Sequence, residues 1–148
     1  MQDGGAQSGE QAPRQARGQA RGQARGQASG VVEDFFGAMQ RRDWSAAEQL
    51  VAGELSVWWP VTLERFEGTA FVEMNRAYPE GWSIDVSEVL EDGGRVAARV
   101  RVDQDDTTYW CFGFYTVTAG AISDAVEGWL VEGGEEAPAW RAPFRLSR

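Results

Sequence analysis

Histidine is absent from this chain, cysteine occurs once, and no uninterrupted apolar run approaches the length of a membrane-spanning helix. Without histidine the commonest general base and the commonest transition-metal ligand are both gone, so Ser-His-Asp and Cys-His mechanisms are excluded. A zinc site would need ligands that the chain does not have, and no spaced carboxylate motif suggests an all-oxygen site, so no metal and no cofactor are expected. The lone Cys111 has no disulfide partner within the chain, and in its aromatic run it reads as a buried, inert thiol. A membrane helix needs roughly 20 apolar residues, and the N-terminus lacks the apolar core of a secretory signal. A cytoplasmic protein with no membrane role is the expectation.

What is present is aromatic and acidic. Seven Trp and seven Phe among 148 residues supply the bulk of one hydrophobic core. The net charge of −9 understates the acidity of the folded part, because Arg14, Arg17, Arg21 and Arg25 lie near the N-terminus with only Asp3 and Glu10 beside them. Such a domain repels phosphate backbones, so no nucleic acid is expected to bind it.

Residues 1–30 are rich in Gly, Gln, Ala, Arg and Ser, and the tandem QARG-type units at 15–30 carry no apolar side chain larger than alanine. They read as a disordered low-complexity tail preceding a domain at 31–148. The tail is either a basic arm for RNA or an acidic partner, or a product of sequence slippage.

From Val31 the apolar residues Val32, Phe35, Phe36 and Met39 recur at helical spacing through Arg42. Asp43 is placed to cap a second short helix that begins at Trp44 and runs to about Gly53. Leu55–Pro60 reads as a strand, and Thr69–Tyr78 as a third helix closed by Pro79. From Trp82 the period changes to two: Trp82, Ile84 and Val86 alternate with polar residues, Asp92-Gly93-Gly94 makes a turn, and Val96, Ala98, Val100 and Val102 share one face. Arg99 and Arg101 take the other face. Residues 107–118 and Ile122 to about Val131 form two more strands joined at Ala119-Gly120. Three helices followed by an antiparallel meander predict an α+β domain whose sheet curls around the helices.

Six sites in this order form a signature: Arg41-Arg42-Asp43-Trp44, Trp58-Trp59-Pro60, Glu67-Gly68, Gly120-Ala121-Ile122, Glu127-Gly128-Trp129 and Pro138-Ala139-Trp140-Arg141. With them the chain from Val31 to Phe144 resembles the SnoaL-like branch of the nuclear transport factor 2-like superfamily. The resemblance implies a cone, in which a bent, mostly antiparallel sheet wraps three N-terminal helices around an apolar pocket for a small hydrophobic molecule. It also implies a homodimer paired through the outer sheet face. Relatives include cyclases, isomerases, dehydratases, hydrolases and binding-only proteins, so the fold does not name the reaction.

Glu127 is the candidate catalytic residue. Period two puts it on one face with Ala125 and Trp129, and if that face lines the cone, desolvation raises its pKa into the range of a general acid or base. The competing role is an ion pair with Arg141. Asp124 falls on the opposite face and cannot pair with it catalytically, while Asp103, Asp105 and Asp106 read as turn formers. Trp59, Trp110, Phe112 and Trp129 are the candidate ligand-binding residues, with Phe114 beside them, as an aromatic wall or as packed core. Two functions follow: a pocket protein with isomerase-, cyclase- or hydrolase-type acid-base chemistry, or a non-catalytic binding or dimeric interaction module.

Overall fold

The computed structural model describes residues 26–146, so most of the repeat tract lies outside the described residues. Helix α1 (Gln27–Gln40) buries Val32, Phe35, Phe36 and Met39, as the helical spacing requires. It starts four residues before Val31 because its N-terminus has a partner supplied by the fold. Glu91, far along the chain, accepts the Ser29 amide at 2.7 Å, and the Ser29 hydroxyl donates to the Gly26 carbonyl at 2.9 Å. A carboxylate at the positive end of a helix satisfies an otherwise orphaned N–H. The backbone bond from Ser29 is also the main reason the Glu91 carboxyl lies below its ordinary value. A chain truncated after residue 30 loses buried Ala28 and this cap. It should melt a few degrees below a chain truncated after residue 25, a difference of roughly 1 kcal/mol. Equal melting temperatures would show the cap to be idle.

Arg42, at φ 60°, turns the chain into α2 (Trp44–Gln49), where the Asp43 side chain accepts from the Ala46 amide at 3.1 Å. The second helix is shorter than the sequence suggests. Val51 already belongs to β1 (Val51–Trp59), because it pairs with Ile122. A short strand that the sequence reading did not separate, β2 (Glu64–Glu67), folds back on β1. Gly68 then takes φ +52° with the Gly53 carbonyl so close that a side chain would collide with it. Helix α3 (Ala70–Ala77) follows.

The meander consists of β3 (Trp82–Asp92), β4 (Arg95–Gln104), β5 (Thr107–Thr118) and β6 (Ala121–Val131). The sheet order is β2-β1-β6-β5-β4-β3, antiparallel except where β1 runs parallel to β6. Three register shifts interrupt it, one at Ser87 in β3, one at Ser123 in β6, and one between Val51 and Ser56 where β1 meets β6. An extra residue in one strand increases local twist and coiling. The inner face and α1 enclose the core, with Val57, Val100, Cys111, Tyr115 and Ala125 buried against Phe35 and Phe36. Cys111 is a free, fully buried thiol.

Ala139–Phe144 forms a 3₁₀ helix on the surface. Trp140 is 69% exposed, with the Arg141 guanidinium over its ring at 5.3 Å. Among the described residues no helix is long and apolar enough to cross a membrane, and no cluster of Cys, Asp and Glu could hold a metal.

Candidate functional site

Strand parity decides which aromatic residues face the interior. On β6 the inward set is Ala125, Glu127 and Trp129, and on β5 it is Cys111, Gly113 and Tyr115. Asp124 points outward, as its parity requires. Trp110, Phe112 and Phe114 therefore lie on the outer face, which corrects the expectation that Trp110 and Phe112 line the pocket. The Trp110 ring stacks on Phe112 with centroids 6.5 Å apart, and its indole donates to Glu132 at 2.7 Å. Phe112 and Phe114 are 46% and 59% exposed. Both parities of this strand carry aromatic side chains, so composition gave no reason to prefer one.

Glu127 is 1% exposed and its carboxylate is held by three neutral donors. Oε2 accepts from Trp59 Nε1 at 2.9 Å and Trp129 Nε1 at 3.1 Å, and Oε1 accepts from the Tyr115 hydroxyl at 2.8 Å. Each donor arrives through local geometry. Trp59 ends β1, one step beyond the Trp58–Val126 pair, and so comes alongside Glu127. Trp129 is two residues along the same face of β6. Tyr115 sits opposite Ala125, and its ring lies back over Gly113, the residue facing Glu127. Any side chain at 113 would occupy the space of that ring. A glycine inside a strand signals such an approach, and this cue could have pointed to Tyr115, which the sequence reading passed over.

Arg141 takes no part, since it stacks on Trp140 at the surface, so the ion-pair alternative for Glu127 is not what this fold builds. Burial pushes the Glu127 carboxyl above its ordinary value, and the hydrogen bonds from Tyr115, Trp129 and Trp59 pull it part of the way back. Burial, reinforced by the Glu127 charge, also pushes the Tyr115 phenol well above its usual range, so it remains a donor.

Glu127 forms part of the wall of a cavity of about 220 Å³. Trp59 and Trp129 share that wall, which α1 and α3 complete with Phe36, Met39, Phe71 and Met74. Trp82, Tyr78 and Tyr109, also absent from the sequence candidates, line it as well. Trp82 is fixed from behind: the Arg42 guanidinium lies 3.5 Å over its ring while donating to Glu80 and to the Trp82 carbonyl, both at 2.8 Å. The lining contains no cationic residue, and Glu127 is its one carboxylate.

A family profile described as the SnoaL-like domain matches residues 32–125, well over half of the chain. The chain belongs to the SnoaL-like domain family. Its fold is nuclear transport factor 2-like. Among solved structures it is similar to a candidate ketosteroid isomerase from Kribbella flavida DSM 17836, with 24% identity over 82% of this chain and 90% of that one and a TM-score of 0.76. It is similar also to an LEH-like epoxide hydrolase of M. tuberculosis, at 19% identity, 70% and 83% coverage and a TM-score of 0.60. A candidate polyketide cyclase from Sinorhizobium meliloti aligns at 18% identity, 66% and 93% coverage and a TM-score of 0.58. No curated protein matches the chain. At these identities the SnoaL-like fold is shared, and the chemistry has to be argued from Glu127 and its cavity.

Proposed function

We propose that this SnoaL-like protein is a cofactor-independent enzyme that moves a proton on a small, neutral, hydrophobic ring substrate, with Glu127 as the general base. One observation carries the reading: a buried carboxylate set in an apolar cavity, oriented by three neutral donors and paired with no arginine among the described residues. Desolvation strengthens it as a base, because the charged form is poorly solvated there. The donors oppose that tendency enough to give the carboxylate one orientation. In the step envisaged, Glu127 takes a proton from a carbon next to a carbonyl and becomes the neutral acid. It can then return that proton at a second position, so isomerisation or ring closure needs no external acid. Trp59 and Trp129 hold the carboxylate and wall the substrate. The isomerase, hydrolase and cyclase names of similar structures are consistent with proton chemistry in such a cone.

The pH dependence tests this. With a general base whose pKa lies above the ordinary glutamate value of 4.5, kcat/KM on a turned-over ketone should rise with pH through that raised value and then level off. A profile flat from pH 4 to 8 in wild type would contradict it.

A binding-only reading is favoured by a different fact: the cavity offers no second carboxylate to share the work. A binder would hold its ligand equally well after Glu127→Gln and show no turnover before it.

We infer further that two copies pair through the outer face of the sheet and act in the cytoplasm. Phe112, Phe114, Val126 and Leu130 are exposed there. Around them stand the oppositely charged pairs Arg99–Glu88 and Arg101–Asp103, so a two-fold axis can bring unlike charges together. Light scattering should give twice the chain mass, and Phe112→Asp with Phe114→Asp should halve it. A monomeric wild type would exclude the pairing.

A further inference from the structure

The cavity has a second polar locus, away from Glu127. Tyr78 ends α3 and is 41% exposed, so it stands where the cavity meets solvent. Its hydroxyl donates to Gln104 Oε1 at 2.8 Å, and Gln104 Nε2 donates in turn to the Pro79 carbonyl at 2.9 Å and the Glu80 carbonyl at 3.3 Å. Tyr109 of β5 is its neighbour. Burial, then the charge and hydroxyl of Tyr109, hold the Tyr78 phenol above its ordinary value, so it stays a neutral hydrogen-bonding group.

The β5 register measures how far this locus is from Glu127. Glu127 faces Gly113, and Tyr109 precedes Gly113 by four residues on the same inward parity. At ~3.3 Å per residue that separates the two positions by about 13 Å along the strand. Trp129, opposite Cys111, falls midway and also lines the cavity. The space is thus a mostly apolar slot with a carboxylate at its buried end, an indole between, two phenols at its open end and Asn75 of α3 in its wall.

We propose that Tyr78 and Tyr109 form a second binding point, recognising an oxygen function at the far end of a flat, neutral, one- or two-ring ketone or phenol whose near end meets Glu127. The proposal rests on Glu127 facing the ligand's other end. The Tyr78 hydroxyl already donates to Gln104, so a ligand hydroxyl there adds a hydrogen bond by donating to a phenol oxygen, and a ligand without one forgoes it. An anionic ligand finds no cation in the lining to offset its loss of hydration. The ligand is therefore neutral and bears oxygens at opposite ends.

Isothermal titration calorimetry at pH 6.5 with 1-indanone and 5-hydroxy-1-indanone tests this. Wild type should bind the hydroxylated ketone about tenfold more tightly, the scale of one added hydrogen bond. Tyr78→Phe with Tyr109→Phe should erase that advantage and leave 1-indanone affinity unchanged, which also reports an intact slot. If the double variant loses 1-indanone as well, the single Tyr109→Phe variant decides by the same ratio. Glu127→Gln should keep the ratio. An advantage that survives both phenylalanines, or is missing in wild type because the ketones bind equally or not at all, overturns the proposal. Exchange of the hydrogens next to the 1-indanone carbonyl in D₂O tests the base separately. Wild type without exchange but with the tenfold ratio would sink the catalytic role of Glu127 and leave the second binding point standing.

Discussion

Glu127→Gln should remove 10²- to 10⁴-fold of any turnover, the usual contribution of a positioned acid or base, and should leave the protein at least as stable at neutral pH. The stability half follows from the titration. Burial raises the folded-state pKa of Glu127 above its unfolded value, so the folded protein binds this proton more tightly than the unfolded chain does. Its contribution is fully present below the ordinary glutamate pKa of 4.5 and is lost as pH rises through the raised value. A glutamine carries no charge, so the variant should gain on wild type across that window and match it most closely in acid. The cradle accommodates the amide: its oxygen takes the two indole donors, and the Tyr115 hydroxyl can rotate to accept from the amide nitrogen. Glu127→Leu is the contrast, because it strands all three donors at about 1–3 kcal/mol each. Denaturant melts at pH 4 and pH 7 measure both variants. A glutamine variant clearly less stable at pH 7 would mean that the carboxylate is a strut, and the catalytic reading would go with it.

The second large effect is expected at Gly113. An alanine Cβ there falls within the Tyr115 ring, so Gly113→Ala has to expel the ring or bend β5. Overpacking of this kind costs about 1–3 kcal/mol, and a displaced Tyr115 no longer donates to Glu127. The signature is a coupling. In a Tyr115→Ala background the same Gly113→Ala change should cost almost nothing, since the space is already empty. A double-mutant cycle by chemical denaturation reads the coupling directly. Additive effects would show that Gly113 is not the slot for Tyr115.

The Gly113 slot illustrates why half of the site escaped the sequence. Period two alone put Glu127, Ala125 and Trp129 on one face of the last strand and Asp124 on the other, because successive side chains of a strand must alternate. The same rule places Trp110, Phe112 and Phe114 on a common face of β5. It could not say which face, since alternation is symmetric until something covers one side. The covering element is α1, whose Phe36 packs edge-to-face on Tyr115 with centroids 6.0 Å apart.

Local chemistry determined a good deal by itself. The apolar stripe from Val32 to Met39 made a helix, Asp43 capped the next one, the Asp92-Gly93-Gly94 turn joined two strands, and the missing histidine removed whole classes of mechanism. Each of these depends on residues within a few positions of one another. Tertiary structure decided what depends on partners distant in sequence. Glu91 lengthened α1 across 62 positions to Ser29, and the parallel pairing of β1 with β6 carried Trp59 to a carboxylate 68 residues away. The bend that opens a cavity between Glu127 and the tyrosines comes from the whole sheet. Contacts across such separations follow from the packing of all the elements at once, and no local pattern in the chain encodes them.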